Sequence, residues 1–142
     1  MAKQRYAVIP AVYMLIKDAD GKTLFLRRHL TGYMDGRFSL VAGHVEQGET
    51  PVIAAIREAR EEVDLTLKAN DLQVVHTCYR PQVGRVDFFI QVGAWAGQPR
   101  IMETNKCDEL RWSAEVPDEL IPSLKPVLRA IGEGQHFSTS TE

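Results

Sequence analysis

The chain has 142 residues, 44% of them hydrophobic and 25% charged. That is the length and balance of one globular domain, and it excludes a coiled coil, a collagen-like repeat and a wholly disordered chain. With 17 basic against 19 acidic residues the net charge is −2, so there is no global positive field to hold a nucleic acid polymer by its phosphates.

Lys3 and Arg5 precede an apolar run over residues 6–16, which superficially copies a signal peptide. Pro10 interrupts that run, no small-residue cleavage site follows, and the stretch is too short to span a bilayer as a helix, so a buried strand and no membrane association are expected. Asp20-Gly21 is a turn signal followed by apolar residues 23–26, and residues 1–30 read as a long-armed β-hairpin. A loop rich in Gly and Asp covers residues 29–36, and residues 38–41 return to strand-like composition.

Thr50-Pro51 marks a helix start, with Thr at the cap, Pro at the first helical position and Glu49 near the positive end of the peptide dipoles. The helix is expected over residues 51–63. Residues 72–79 and 86–95 read as two strands joined by a turn containing Pro81 and Gly84. A polar stretch with Glu103, Asp108 and Glu109 leads to the apolar piece 110–112, residues 117–122 read as a turn or short helix, and residues 124–131 have helical spacing up to Gly132.

Residues 135–142 are small and polar and read as a flexible tail beyond a single domain over 1–134. Strands mixed with two separated helices predict an α/β sandwich, a mixed β-sheet flanked by helices. Cys78 and Cys107 have no metal or redox spacing, which fits a reducing cytoplasm.

On a helical wheel with Glu58 at zero, Glu61 falls near about −60° and Glu62 near about +40°, so three carboxylates share one face. Val52, Ile56, Ala59 and Val63 lie between about 100° and 160°, an apolar stripe suited to a sheet. Ala54 and Ala55 flank the acidic face and are expected to leave room for a ligand. Clustered carboxylates destabilise a helix by a few tenths of a kcal/mol per like-charged pair, so a divalent cation is one way to offset them. A solvated face with Arg57 and Arg60 pairing the glutamates is the other. Residues 43–65 carry a net charge of −4, and a phosphate-bearing ligand would approach such a segment only through a bridging cation.

Gly43, five residues, Glu49, seven residues, then Arg57-Glu58-Ala59-Arg60-Glu61-Glu62-Val63-Asp64-Leu65 closely resembles the signature of the Nudix hydrolases. Two positions depart from it: Asp64 stands where the signature has Gly, and Ala59 where a larger aliphatic is usual. Asp tolerates a left-handed helix end better than most side chains, so the turn is expected to survive.

The resemblance implies a Nudix α/β/α sandwich and hydrolysis of a nucleoside diphosphate linked to another group. Most directly, this means a nucleoside triphosphate, canonical or oxidised, going to monophosphate and pyrophosphate. ADP-ribose, a nucleotide sugar, a dinucleoside polyphosphate and a non-catalytic nucleotide sensor are the alternatives.

Magnesium, or manganese, would be held by Glu58, Glu61 and Glu62 with the Gly43 carbonyl, and Arg57 with Glu49 would fix the loop before the helix. Glu109 is expected as the general base, with Glu103 as runner-up. Arg27 and Arg28 would bind substrate, with Tyr33, Phe38 and Trp112 as stacking candidates; His44 lies in the signature loop. A homodimer is left open.

Overall fold

The computed structural model describes residues 3–141. Its strands are β1 (Ile9–Ile16), β2 (Thr23–Arg28), β3 (Phe38–Ser39), β4 (Val41–His44), β5 (Leu72–Arg80), β6 (Arg85–Val92), β7 (Cys107–Ser113) and β8 (Phe137–Thr139); its helices are α1 (Pro51–Val63) and α2 (Leu124–Gly132). Five strands form a mixed sheet in the order β4-β1-β6-β5-β8, and three form a second sheet in the order β3-β2-β7. β1 runs parallel to β6 and antiparallel to β4. It is therefore central, and its near-continuous burial follows from having both faces covered.

α1 covers one face of the large sheet, packing Ala54, Ala55, Ala59 and Val63 with Val12, Met14, Ile16, Val41 and Ile90. On the other face Leu124 and Val127 of α2 join Leu15, Leu40, Cys78 and Phe89. The small sheet serves both cores, with Leu24 and Leu26 in the first and Phe25 in the second. Each such buried aliphatic or aromatic side chain contributes roughly 1.5–3 kcal/mol. The α/β/α sandwich expected from the sequence is the observed architecture.

The long-armed hairpin is not. Asp18 accepts hydrogen bonds from the backbone N–H groups of Asp20 and Lys22 at 2.9 Å each, and Gly21 adopts φ 79°, so the turn forms as expected. Beyond a single Lys17–Thr23 bridge the arms part. Both edges of β1 are filled by β4 and β6, and β2 pairs instead with β3 and β7.

The expected flexible tail also contains structure. β8 runs parallel to β5, and the buried His76 ring holds it there, contacting Gln135 O and Ser138 Oγ at 2.8 Å each. Of that segment, Glu142 lies outside the described residues, as do positions 1–2.

α1 has the expected bounds. Thr50 Oγ1 accepts from the Ile53 N–H at 3.2 Å, and Asp64 closes the helix in the left-handed region at φ 57°, ψ 36°. Its carboxylate pairs with Arg100 at 2.9 Å. The buried face differs from expectation. Ala54 and Ala55, expected beside a ligand, are fully buried. The buried arc therefore runs from Ala54 near about −40° to Val63 near about 140°, and the Glu58 and Glu62 positions fall inside it.

Candidate active site

Arg57 organises the loop between β4 and α1. Its Nε and Nη2 donate to the two oxygens of Glu49 at 2.7 and 2.9 Å, and Nη2 also donates to the His44 carbonyl at 3.0 Å. Nη1 donates to Glu58 Oε1 at 2.8 Å and to Glu61 Oε2 at 3.2 Å. Glu49 closes the loop further by accepting the Glu46 N–H at 2.9 Å. The Arg57 guanidinium and then that N–H hold the Glu49 carboxyl down to about 2, as a forked, charge-assisted pair should. Arg60, by contrast, donates to Thr66 Oγ1 at 3.0 Å.

Gly43 carries the next contact. A Cβ built there would lie 2.1 Å from Glu58 Cδ and 2.2 Å from its Oε1, so the Glu58 carboxylate rests in the space a side chain would fill. One turn on, Glu62 is half-buried, and its Oε2 is buried with no hydrogen-bond partner. Burial first, then the charges of Glu58 and Glu103, push the Glu62 carboxyl well above its usual range. A buried carboxylate oxygen beside like charges is neutralised either by a proton or by a cation, and the donor set is the hard-oxygen type that a divalent ion takes. Among the described residues no three acidic, His or Cys side chains already converge on one point, since Glu58 and Glu61 turn oxygens toward Arg57.

A cavity of about 580 Å³ opens beside this cluster, lined by Gly43, Glu58, Glu62 and Glu103, with Arg28 from the end of β2, Tyr33 from the β2–β3 loop and Tyr13, Arg80 and Arg85 from the large sheet. Its volume is in the range of small-molecule sites. Arg28 braces its loop, donating to the Tyr33 carbonyl at 2.7 Å and Thr31 Oγ1 at 3.0 Å, with its guanidinium 5.4 Å from the Tyr33 ring centroid.

Of the residues singled out from the sequence, the cavity brings together Gly43, His44, Glu58, Glu62, Glu103, Arg28 and Tyr33. Glu49 and Arg57 stand behind it as support, and Glu61 is on the exposed side of Arg57.

Glu109 sits opposite Arg27 in the β2–β7 ladder, is bound by Arg111 at 2.9 Å, and does not line the cavity. Glu103, the runner-up, does. Arg27 is likewise spent on Asp108, at 2.7 and 3.0 Å. Phe38 is core, 1% exposed, with the Arg111 guanidinium 4.3 Å from its ring centroid. Trp112 stacks on Trp95 at 5.8 Å. Arg80, Arg85, Asp87 and Tyr13 were not singled out from the sequence, where no local pattern links them.

The NUDIX domain family model matches residues 8–130. The chain belongs to that family. It is 25% identical over 114 residues to the 8-oxo-dGTP diphosphatase of Escherichia coli, covering 80% of this chain and 88% of that protein. It is 37% identical over 59 residues to the NAD-capped RNA hydrolase NudC of Mycobacterium tuberculosis, but that match spans 42% of this chain and only 18% of the relative. Among solved structures, the MutT NUDIX hydrolase of Burkholderia pseudomallei superposes with a TM-score of 0.75 at 21% identity, over 85% of this chain and 95% of the other. The E. coli ORF135 protein does so with a TM-score of 0.71 at 26% identity, over 89% and 90%. No helix among the described residues is long and apolar enough to cross a membrane.

Proposed function

We propose that the chain is a metal-dependent pyrophosphohydrolase acting on nucleoside triphosphates, canonical or oxidised, and releasing monophosphate and pyrophosphate. The observation that carries this reading is the buried, partnerless Oε2 of Glu62 beside Glu58 and Glu103. Glu58, Glu61, Glu62 and the Gly43 carbonyl would hold magnesium or manganese. When bound, the metal supplies charge neutralisation of the bridging phosphates and activation of water. Arg57, fastened to Glu49, positions Glu58 and the loop carrying Gly43. The Glu103 carboxylate takes a proton from the attacking water as general base, the role first expected of Glu109. Arg28 and Tyr33 hold the substrate at the cavity wall, Tyr33 by stacking on a base. With Cys78 and Cys107 both free, a cytoplasmic setting is part of this reading.

The triphosphate reading is favoured over a dinucleotide because the relative matched over 80% of the chain is an 8-oxo-dGTP diphosphatase, whereas the match to the NAD-capped RNA hydrolase spans 59 residues. The test is product identification across nucleoside triphosphates, ADP-ribose, nucleotide sugars and dinucleoside polyphosphates with magnesium. Monophosphate and pyrophosphate from triphosphates support the reading. Turnover confined to the other diphosphates moves the substrate assignment, and nucleotide binding without any product makes the chain a sensor.

A further inference from the structure

One charged cluster at the cavity wall has no part in the chemistry above. Asp87 on β6 is 2% exposed and is shared by two guanidinium groups, Arg80 Nη1 and Arg85 Nη2, each at 3.3 Å. Arg80 pairs with Arg85 across the β5–β6 ladder and Cys78 with Asp87, which sets the three charged side chains on one face of the sheet. Arg85 Nη2 also donates to the Tyr13 hydroxyl at 3.2 Å. Burial first, then Asp87, push that phenol above its ordinary value, so it stays protonated at neutral pH and keeps its own O–H to donate.

Two cations on one buried anion leave a net positive charge. Arg80 Nε and Arg85 Nε are both buried with no hydrogen-bond partner, a state that native structures rarely tolerate without a ligand or water to answer it. Both guanidinium groups and Tyr13 line the same cavity as Glu58 and Glu62. The carboxylates enter it from α1, which covers one face of the large sheet, whereas Tyr13 packs with the α2 core on the other. Guanidinium groups only donate, and the Asp87 oxygens each already have a guanidinium partner. The complementary ligand group is therefore all acceptor. Phosphoryl oxygens qualify, and so do the adjacent O6 and N7 of a 6-oxopurine.

We propose that Arg80 and Arg85, set in place by Asp87, form a clamp for an acceptor-only group of the substrate lying away from the cleaved bridge, and that this clamp decides which nucleotides are retained. The proposal rests on the nucleotide-hydrolase reading of the same cavity. The net positive charge favours a phosphoryl group as the occupant.

Arg80→Lys and Arg85→Lys keep the charge facing Asp87 but lose the planar fork. Affinities for GTP, ATP, GDP and ADP are measured by calorimetry, for wild type and both variants, with calcium in place of magnesium so that the readout does not need turnover. A phosphoryl clamp predicts that GTP and ATP weaken by about tenfold or more in the variants while GDP and ADP stay within about twofold. A base-edge clamp predicts that GTP and GDP weaken together while ATP and ADP are retained. Uniform weakening of all four, no change in any, or a wild-type chain that binds none of them overturns the clamp. A selective pattern together with no turnover of any nucleotide under magnesium keeps the clamp and overturns the hydrolase reading.

Discussion

The Glu58 carboxyl carbon stands 2.1 Å from where a Cβ on Gly43 would lie, so the side chain that one residue lacks is the seat of the other's carboxylate. The constraint is one of space, because Gly43 is not among the residues with positive φ. Gly43→Ala therefore turns Glu58 out of position. Activity falls by on the order of 10–100-fold, as for other changes that misplace a ligand. The fold survives, since overpacking costs about 1–3 kcal/mol against a total of about 5–15 kcal/mol. Steady-state kinetics beside thermal unfolding checks both halves.

Arg57→Lys tests the hub. A lysine cannot span both Glu49 oxygens and Glu58 at once, because its ammonium is a point donor rather than a fork. The expected result is a drop in kcat of about 10–100-fold with KM much less affected, because Arg57 positions the site and does not line the cavity. A rise in KM alone would show that Arg57 touches substrate.

Glu49 makes a prediction about pH. Its carboxyl is lowered by folding from an ordinary value of 4.5 to about 2, so the folded state binds its proton less readily than the unfolded one. The stabilisation is fully present above 4.5 and is lost as the pH falls toward about 2. Glu49→Gln removes this contribution, and the variant's unfolding free energy should change less across that window than wild type in denaturant titrations. Parallel curves for the two proteins would mean that the Arg57–Glu49 pair is not coupled to folding.

Much of this candidate site is legible in the sequence. The Thr50-Pro51 start, the Asp64 stop and the spacing from Gly43 to Glu62 are local signals, and local hydrogen bonds in the structure answer them. The orientation of α1 was not legible, because a wheel sorted by polarity sets glutamates opposite the core, whereas alanines small enough to pack closely bring Glu58 and Glu62 into the buried arc. Glu103 and Glu109 look alike in sequence. Only the β2–β7 register separates them, since it commits Glu109 to a row of arginines. Arg80, Arg85 and Asp87 become one group through the β5–β6 ladder, and the polar composition of β8 hid a strand held by a buried histidine.

The two acidic candidates for general base separate by mutation. Glu103→Gln should lower kcat by roughly 100-fold or more, in the range typical of a proton-transfer residue. Glu109→Gln should leave kcat within about twofold, since the residue lies outside the cavity. Equal losses in both would withdraw the role given to Glu103.

The central claim is that the Glu58–Glu62 pair is built for a divalent cation, and calorimetric titration of manganese into wild-type and Glu62→Gln protein tests it most directly. Glu62→Gln removes a carboxyl that sits beside the Glu58 and Glu103 charges with its Oε2 unpaired, so the metal-free variant should unfold at a higher temperature than wild type, which certifies that its fold is intact. The account predicts saturable manganese binding in wild type and at least about tenfold weaker binding in that stabilised variant. Equal manganese affinity in the two proteins would contradict it.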